Sequence, residues 1–134
     1  MKPSYKVIAS FLLLTLCYSS CLFATESTEQ STEIEELARQ FKTDLDDALD
    51  LAESILAKDT TNAETWYWKG RIHGQMASRN FLTALSHAAK SESAFQQAVK
   101  LKPDDLKYLR ALSRFYITAP AIAGGNIGLS LIHI

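Results

Sequence analysis

The sequence predicts an all-α fold, and three observations carry that prediction. From Ile34 to Leu56 apolar residues recur at spacings of three and four, the period of one face of a helix. A second stretch, Ala63 to Pro103, reads as a helix, a turn and a helix, with Pro103 as its stop. Only the last six residues could form a strand, and a lone strand has nothing to pair with.

Residues 1–24 stand apart from that pattern. Lys2 and Lys6 precede an apolar run from Val7 to Leu16, and a more polar tract ends in Leu22-Phe23-Ala24, which is the three-part build of a secretory signal peptide. The run is shorter than the ~20 residues that span a bilayer, so cleavage after Ala24 is expected rather than a retained anchor. The alternative is lipidation: Tyr18-Ser19-Ser20-Cys21 resembles a bacterial lipoprotein cleavage box, in which Cys21 would be acylated and hold the chain on a membrane. Both routes export the chain, to the periplasm of a Gram-negative bacterium or to its membrane as a lipoprotein. Cys17 and Cys21 both precede Thr25, so the mature chain can form no disulfide and is held by packing alone.

Residues 25–32 are polar and rich in Ser, Thr and Glu, which predicts a flexible lead. Ser31 or Thr32 can then cap one acidic amphipathic helix over residues 33–62, with Glu35 near the capping-box position. Its apolar face is Ile34, Leu37, Ala38, Phe41, Leu45, Ala48, Leu49, Ala52, Ile55 and Leu56. Glu35, Glu36, Asp44, Asp46, Asp47, Asp50 and Glu53 form its opposite, solvated face, and Asp44-Leu45-Asp46-Asp47 is no calcium site because no Gly-bearing loop with the required ligand spacing surrounds it. Asp59-Thr60-Thr61-Asn62 makes the turn that follows.

Within residues 63–128 the spacing Trp66-x2-Lys69-Gly70-x2-His73, then Ser91-x3-Phe95, then Pro103 resembles the tetratricopeptide repeat. Trp66, Gly70, Phe95 and Pro103 match its pattern, whereas Lys69, His73 and Ser91 stand where Leu, Tyr and Ala are usual. The resemblance implies an α-solenoid of paired helices. Its first helix runs from about Ala63 to Ser78, and its second begins near Asn80 and carries Phe81, Leu82, Leu85, Ala88, Ala89, Phe95, Ala98 and Val99 as an apolar stripe. Leu109-x2-Leu112-Ser113-x2-Tyr116 replays the first helix 43 residues later, against a usual period of 34. Nine extra residues therefore fall around Ser78 to Ser86. The long helices and the Ala119-Pro120-x2-Ala123-Gly124-Gly125-Asn126 loop are similar to a group of exported bacterial tetratricopeptide proteins largely without assigned activity.

Residues 129–134, Leu-Ser-Leu-Ile-His-Ile, equal one translated frame of a common sequencing adapter, which predicts a non-native tail on a fragment holding one full repeat and the first helix of the next. Such a fragment lacks its normal cover and is expected to self-associate.

Charge excludes a nucleic-acid partner and divides the chain. Thr25 to Asn62 holds three basic and eleven acidic residues, a net −8, while Ala63 to Gly128 holds nine basic and four acidic, a net +5. His73 and His87, fourteen apart on different predicted helices with no cysteine beside them, do not spell a zinc or nucleophile-base site. No catalytic residues, metal or cofactor are therefore expected, and no enzyme. What the resemblance implies instead is a groove lined by the first helix of each repeat, with Glu64, Tyr67, Arg71, Gln75, Lys107, Arg110 and Arg114 facing outward. Its basic excess suits a protein partner or an acidic peptide held by charge-assisted hydrogen bonds. The expected function is a protein-binding scaffold of the bacterial envelope; the alternative is a structural or accessory subunit of an envelope assembly.

Overall fold

The computed structural model describes residues 28–119. Residues 1–24, expected to be a signal segment and holding Cys17 and Cys21, residues 120–126 and the terminal residues 129–134 lie outside the described residues. Within them the fold is all-α: α1 (residues 28–43), α2 (Leu45–Lys58), α3 (Ala63–Arg79), α4 (Ala84–Leu101) and α5 (Leu106–Thr118). No helix among the described residues is long and apolar enough to cross a membrane.

The chain divides into two compact units between Glu35 and Glu36. The described part of the first is the opening of α1. There Ser31 and Thr32, expected to cap a helix, already lie inside one. Their hydroxyls donate back to the carbonyls of Thr28 (2.9 Å) and Glu29 (2.8 Å), so these polar residues satisfy themselves locally, and residues 28–32 are helical rather than a flexible lead.

In the second unit the expected single acidic helix is two helices. Asp44 adopts an extended backbone, φ −142° and ψ 125°, and its side chain accepts hydrogen bonds from the amides of Asp46 (2.8 Å) and Asp47 (3.4 Å). A carboxylate capping two otherwise unpaired amides starts a new helix, and Asp46 and Asp47 then sit where a helix N-terminus favours negative charge. The apolar spacing runs unbroken through this point. Leu37 before the break and Leu45, Ala48, Ala52, Ile55 and Leu56 after it are all buried as expected.

The remaining joints follow the same chemistry. Asp59 receives the amide and hydroxyl of Thr61, and the side chain of Asn62 accepts from the Thr65 amide at 3.0 Å to open α3. Asp105 opens α5 by accepting from the Lys107 amide at 2.9 Å. Pro103 follows the end of α4 at Leu101.

Successive helices pack on one another, α2 on α3, α3 on α4 and α4 on α5, with α3 and α4 in the most extensive contact. Gly70 makes that contact possible. A Cβ there would lie 2.7 Å from two atoms of the Phe95 ring, so only glycine lets the helices approach this closely. Ser91, on the facing turn of α4, donates to the Gly70 carbonyl at 2.7 Å and locks the pair. Phe95 then joins Ala88, Phe115 and Tyr116 in a core that reaches α5, while Ala63, Ala98 and Tyr108 form a second patch of it.

The start of α4 differs from expectation. Asn80 ends α3 instead of opening α4: its amide donates to the Met76 carbonyl, its side chain accepts from the Leu82 amide at 3.0 Å, and α4 begins only at Ala84. Phe81 and Leu82 are consequently 93% and 91% exposed at the turn, and Leu85 is also exposed, so none of the three belongs to the buried stripe. The stripe begins at Ala88.

Candidate functional site

An open groove of about 810 Å³ lies between α3 and α5, with Phe41 of α1 at its edge. Helical spacing builds it. Tyr67, Arg71, Gln75 and Ser78 follow one another at three or four residues on α3, as do Lys107, Arg110 and Arg114 on α5, and all of these line the groove. The structure thus brings together all six residues expected at a groove: Tyr67, Arg71, Gln75, Lys107, Arg110 and Arg114. Glu64, also expected to face outward there, instead ties α3 to α5.

Glu64 accepts from Lys107 Nζ at 2.6 Å, from Tyr108 Oη at 2.9 Å and from Trp68 Nε1 at 3.0 Å. Lys107 also lies 4.6 Å from the Tyr67 ring centre. Its charge is therefore matched within the protein. Burial, and then the bond to Glu64, pushes the Tyr108 phenol well up from its ordinary range, so it remains a protonated donor.

Arg71 is held differently. Its guanidinium lies 4.5 Å from the Trp68 ring centre, 4.6 Å from Phe41 and 5.7 Å from Tyr67. Stacked on aromatic faces, a guanidinium keeps its N–H fork free at its edge while the rings fix its plane. Among the described residues no carboxylate reaches it. Arg110 and Arg114, exposed and one turn apart, likewise have no ion pair among the described residues. Three unneutralised guanidiniums on two helices can hold carboxylates, with Gln75 and Ser78 as further hydrogen-bonding groups.

Phe41 lines this groove, Trp68 lies beside the Arg71 guanidinium and Tyr108 bonds Glu64; none of the three was in the expected set. Phe41 is thirty residues from Arg71 in sequence, and only its aromatic character hinted at a wall. Tyr108 lies 43 residues after Thr65, the same offset that relates the two helix patterns.

The residues expected to define a repeat are placed as follows. Trp66 and Val99 pack on Ala63 and Ala98, Trp66 Nε1 donates to the Thr60 carbonyl at 2.9 Å, Leu112 packs on Phe115 and Tyr116, and Leu109 is half-buried. Tyr116 donates from its hydroxyl to Glu92 at 2.9 Å and accepts from Gln96 at 3.0 Å.

On another side of α3 a cavity of about 420 Å³ is lined by Glu53 of α2, Trp66, Lys69 and His73 of α3, and Lys90 and Ser93 of α4. Lys69 Nζ pairs with Glu53 at 3.0 Å. His73, only 2% exposed, meets His87 across the hairpin. Burial pushes the His73 imidazole down to about 4, and the neighbouring His87, Lys90 and Lys69 push the same way against Glu53.

No protein-family model, curated protein or solved structure matches the chain.

Proposed function

We propose that this chain is an exported tetratricopeptide-type scaffold that captures a protein partner through an acidic, carboxylate-bearing segment laid in the α3–α5 groove. The observation that carries the reading is Arg71, braced by three aromatic rings with its donor edge unpaired, in one groove with the unpaired Arg110 and Arg114.

The departures from the repeat signature support it, because each comes with its own local partner. Lys69 pairs with Glu53, His73 meets His87, and Ser91 bonds the Gly70 carbonyl. Such a groove asks of its residues only that they bind, and the envelope location follows from the export signal read in residues 1–24.

A labelled Asp/Glu-rich peptide with a free C-terminus, followed by fluorescence anisotropy, tests the reading. The double charge reversal Arg110→Glu/Arg114→Glu is expected to weaken capture at least about tenfold, since one charge-assisted hydrogen bond contributes about 1.5 kcal/mol or more. Unchanged capture would remove the groove from the account.

One observation favours a second reading, an accessory subunit of an envelope assembly. Phe81 and Leu82 project almost fully exposed from the α3–α4 turn, which suits a permanent protein neighbour. Under that reading Phe81→Ser/Leu82→Ser releases one stoichiometric partner and leaves peptide capture intact; loss of the peptide alone points back to the groove.

A further inference from the structure

The groove is basic, and the same chain carries carboxylates that nothing within it neutralises. Asp46, Asp47 and Asp50 lie on the first two turns of α2 and are exposed. Asp44 is engaged as the cap of that helix and Glu53 pairs with Lys69, but no ion pair reaches these three among the described residues. Asp46 and Asp50 are four residues apart, so they stand one above the other on a single face.

Arg110 and Arg114 repeat that spacing on α5, inside the groove, and they too lack an ion pair among the described residues. Side chains four apart on a helix start about 6 Å from each other, so two carboxylates and two guanidiniums at this spacing can meet rung for rung. Within one chain they are not brought together. There α2 packs on α3 and α5 on α4, and no ion pair joins α2 to α5 among the described residues.

We propose that the acidic partner of the groove is a second copy of this chain, with Asp46 and Asp50 of one copy seated on Arg110 and Arg114 of the next. The inference rests on the groove reading and names its occupant. The division of charge supports it, because Thr25 to Asn62 carries a net −8 and Ala63 to Gly128 a net +5, so the acidic part of one copy attracts the basic part of another. The two surfaces are different, which makes the contact head to tail. One end of any pair keeps a free groove and the other a free acidic face, and the product is an open row of copies that lengthens with protein concentration. Salt weakens such a contact, whereas association through uncovered apolar faces holds in salt.

The test is sedimentation velocity of the full chain and of two neutralised variants. Arg110→Gln/Arg114→Gln keeps only the acidic face, and Asp46→Asn/Asp50→Asn keeps only the groove. All four residues lie outside the buried core, so both variants should fold, as circular dichroism would verify. The wild type is expected to associate with rising concentration and to dissociate as salt is added. Each variant alone should associate about tenfold more weakly or less, since charge-assisted hydrogen bonds are lost, and an equimolar mixture of the two should form a dimer and nothing larger. A mixture that stays monomeric would overturn the proposal. So would variants that associate as the wild type does, by placing the contact on apolar faces. Capture of an Asp/Glu-rich peptide separates this inference from the groove reading beneath it. A wild type that captures the peptide yet never self-associates overturns the second copy alone, and a wild type that does neither overturns both.

Discussion

Gly70 and Phe95 show how one residue sets the distance between helices. A methyl group at Gly70 would meet the Phe95 ring at 2.7 Å, and that ring cannot swing away because Tyr67 and Phe115 pack against it. Gly70→Ala is therefore expected to destabilise the fold by about 1–3 kcal/mol despite the better helix propensity of alanine, as read from the urea midpoint. An unchanged midpoint would mean that α3 and α4 are not in this contact. Ser91→Ala removes the hydroxyl bond to the Gly70 carbonyl and should cost about 0.5–1.5 kcal/mol in the same assay. Gly70 and Phe95 were legible in the sequence because their spacing encodes a close approach. The partners of Lys69, His73 and Ser91 were not, because each lies across a helix interface at a separation that no local period reports.

At the scale of elements, helix faces were more legible than helix ends. Apolar periodicity located the buried face of α2 but did not single out the buried Thr65 and Ile72 of α3 or Tyr108 of α5, and it is blind to a break that preserves the period, as at Asp44. Only side-chain capping separates α1 from α2, so Asp44→Ala should cost about 0.5–2 kcal/mol and reduce helicity, measured by circular dichroism during denaturation. The same blindness placed Phe81 and Leu82 on a buried stripe, where they would belong only if α4 began at Asn80. Since they stand on an exposed turn, Phe81→Ser/Leu82→Ser should change stability by no more than about 0.5 kcal/mol. A loss of several kcal/mol would restore them to the core. The six outward positions of the candidate groove were expected from the resemblance to a tetratricopeptide repeat, and helical spacing puts those of each helix on one face. Neither revealed that Lys107 is already matched by Glu64, or that Phe41 helps to hold Arg71, because both facts depend on how separate helices meet.

Over the whole molecule, the division of charge acquires a location. The basic excess after Ala63 concentrates at a groove in which Lys107 is neutralised and Arg71, Arg110 and Arg114 are not. Capture of an acidic segment by exposed guanidiniums is screened by salt, so affinity should fall steadily as ionic strength rises through the physiological range. The most direct measurement is a titration of the protein with an Asp/Glu-rich peptide, followed through the arginine side-chain Nε–H resonances. The account predicts that the signals of Arg71, Arg110 and Arg114 shift together and saturate with one affinity, while those of Arg39, which pairs with Glu36, and of Arg79 at the end of α3 stay in place. Shifts spread equally over all five arginines, or confined to Arg39 and Arg79, would contradict it.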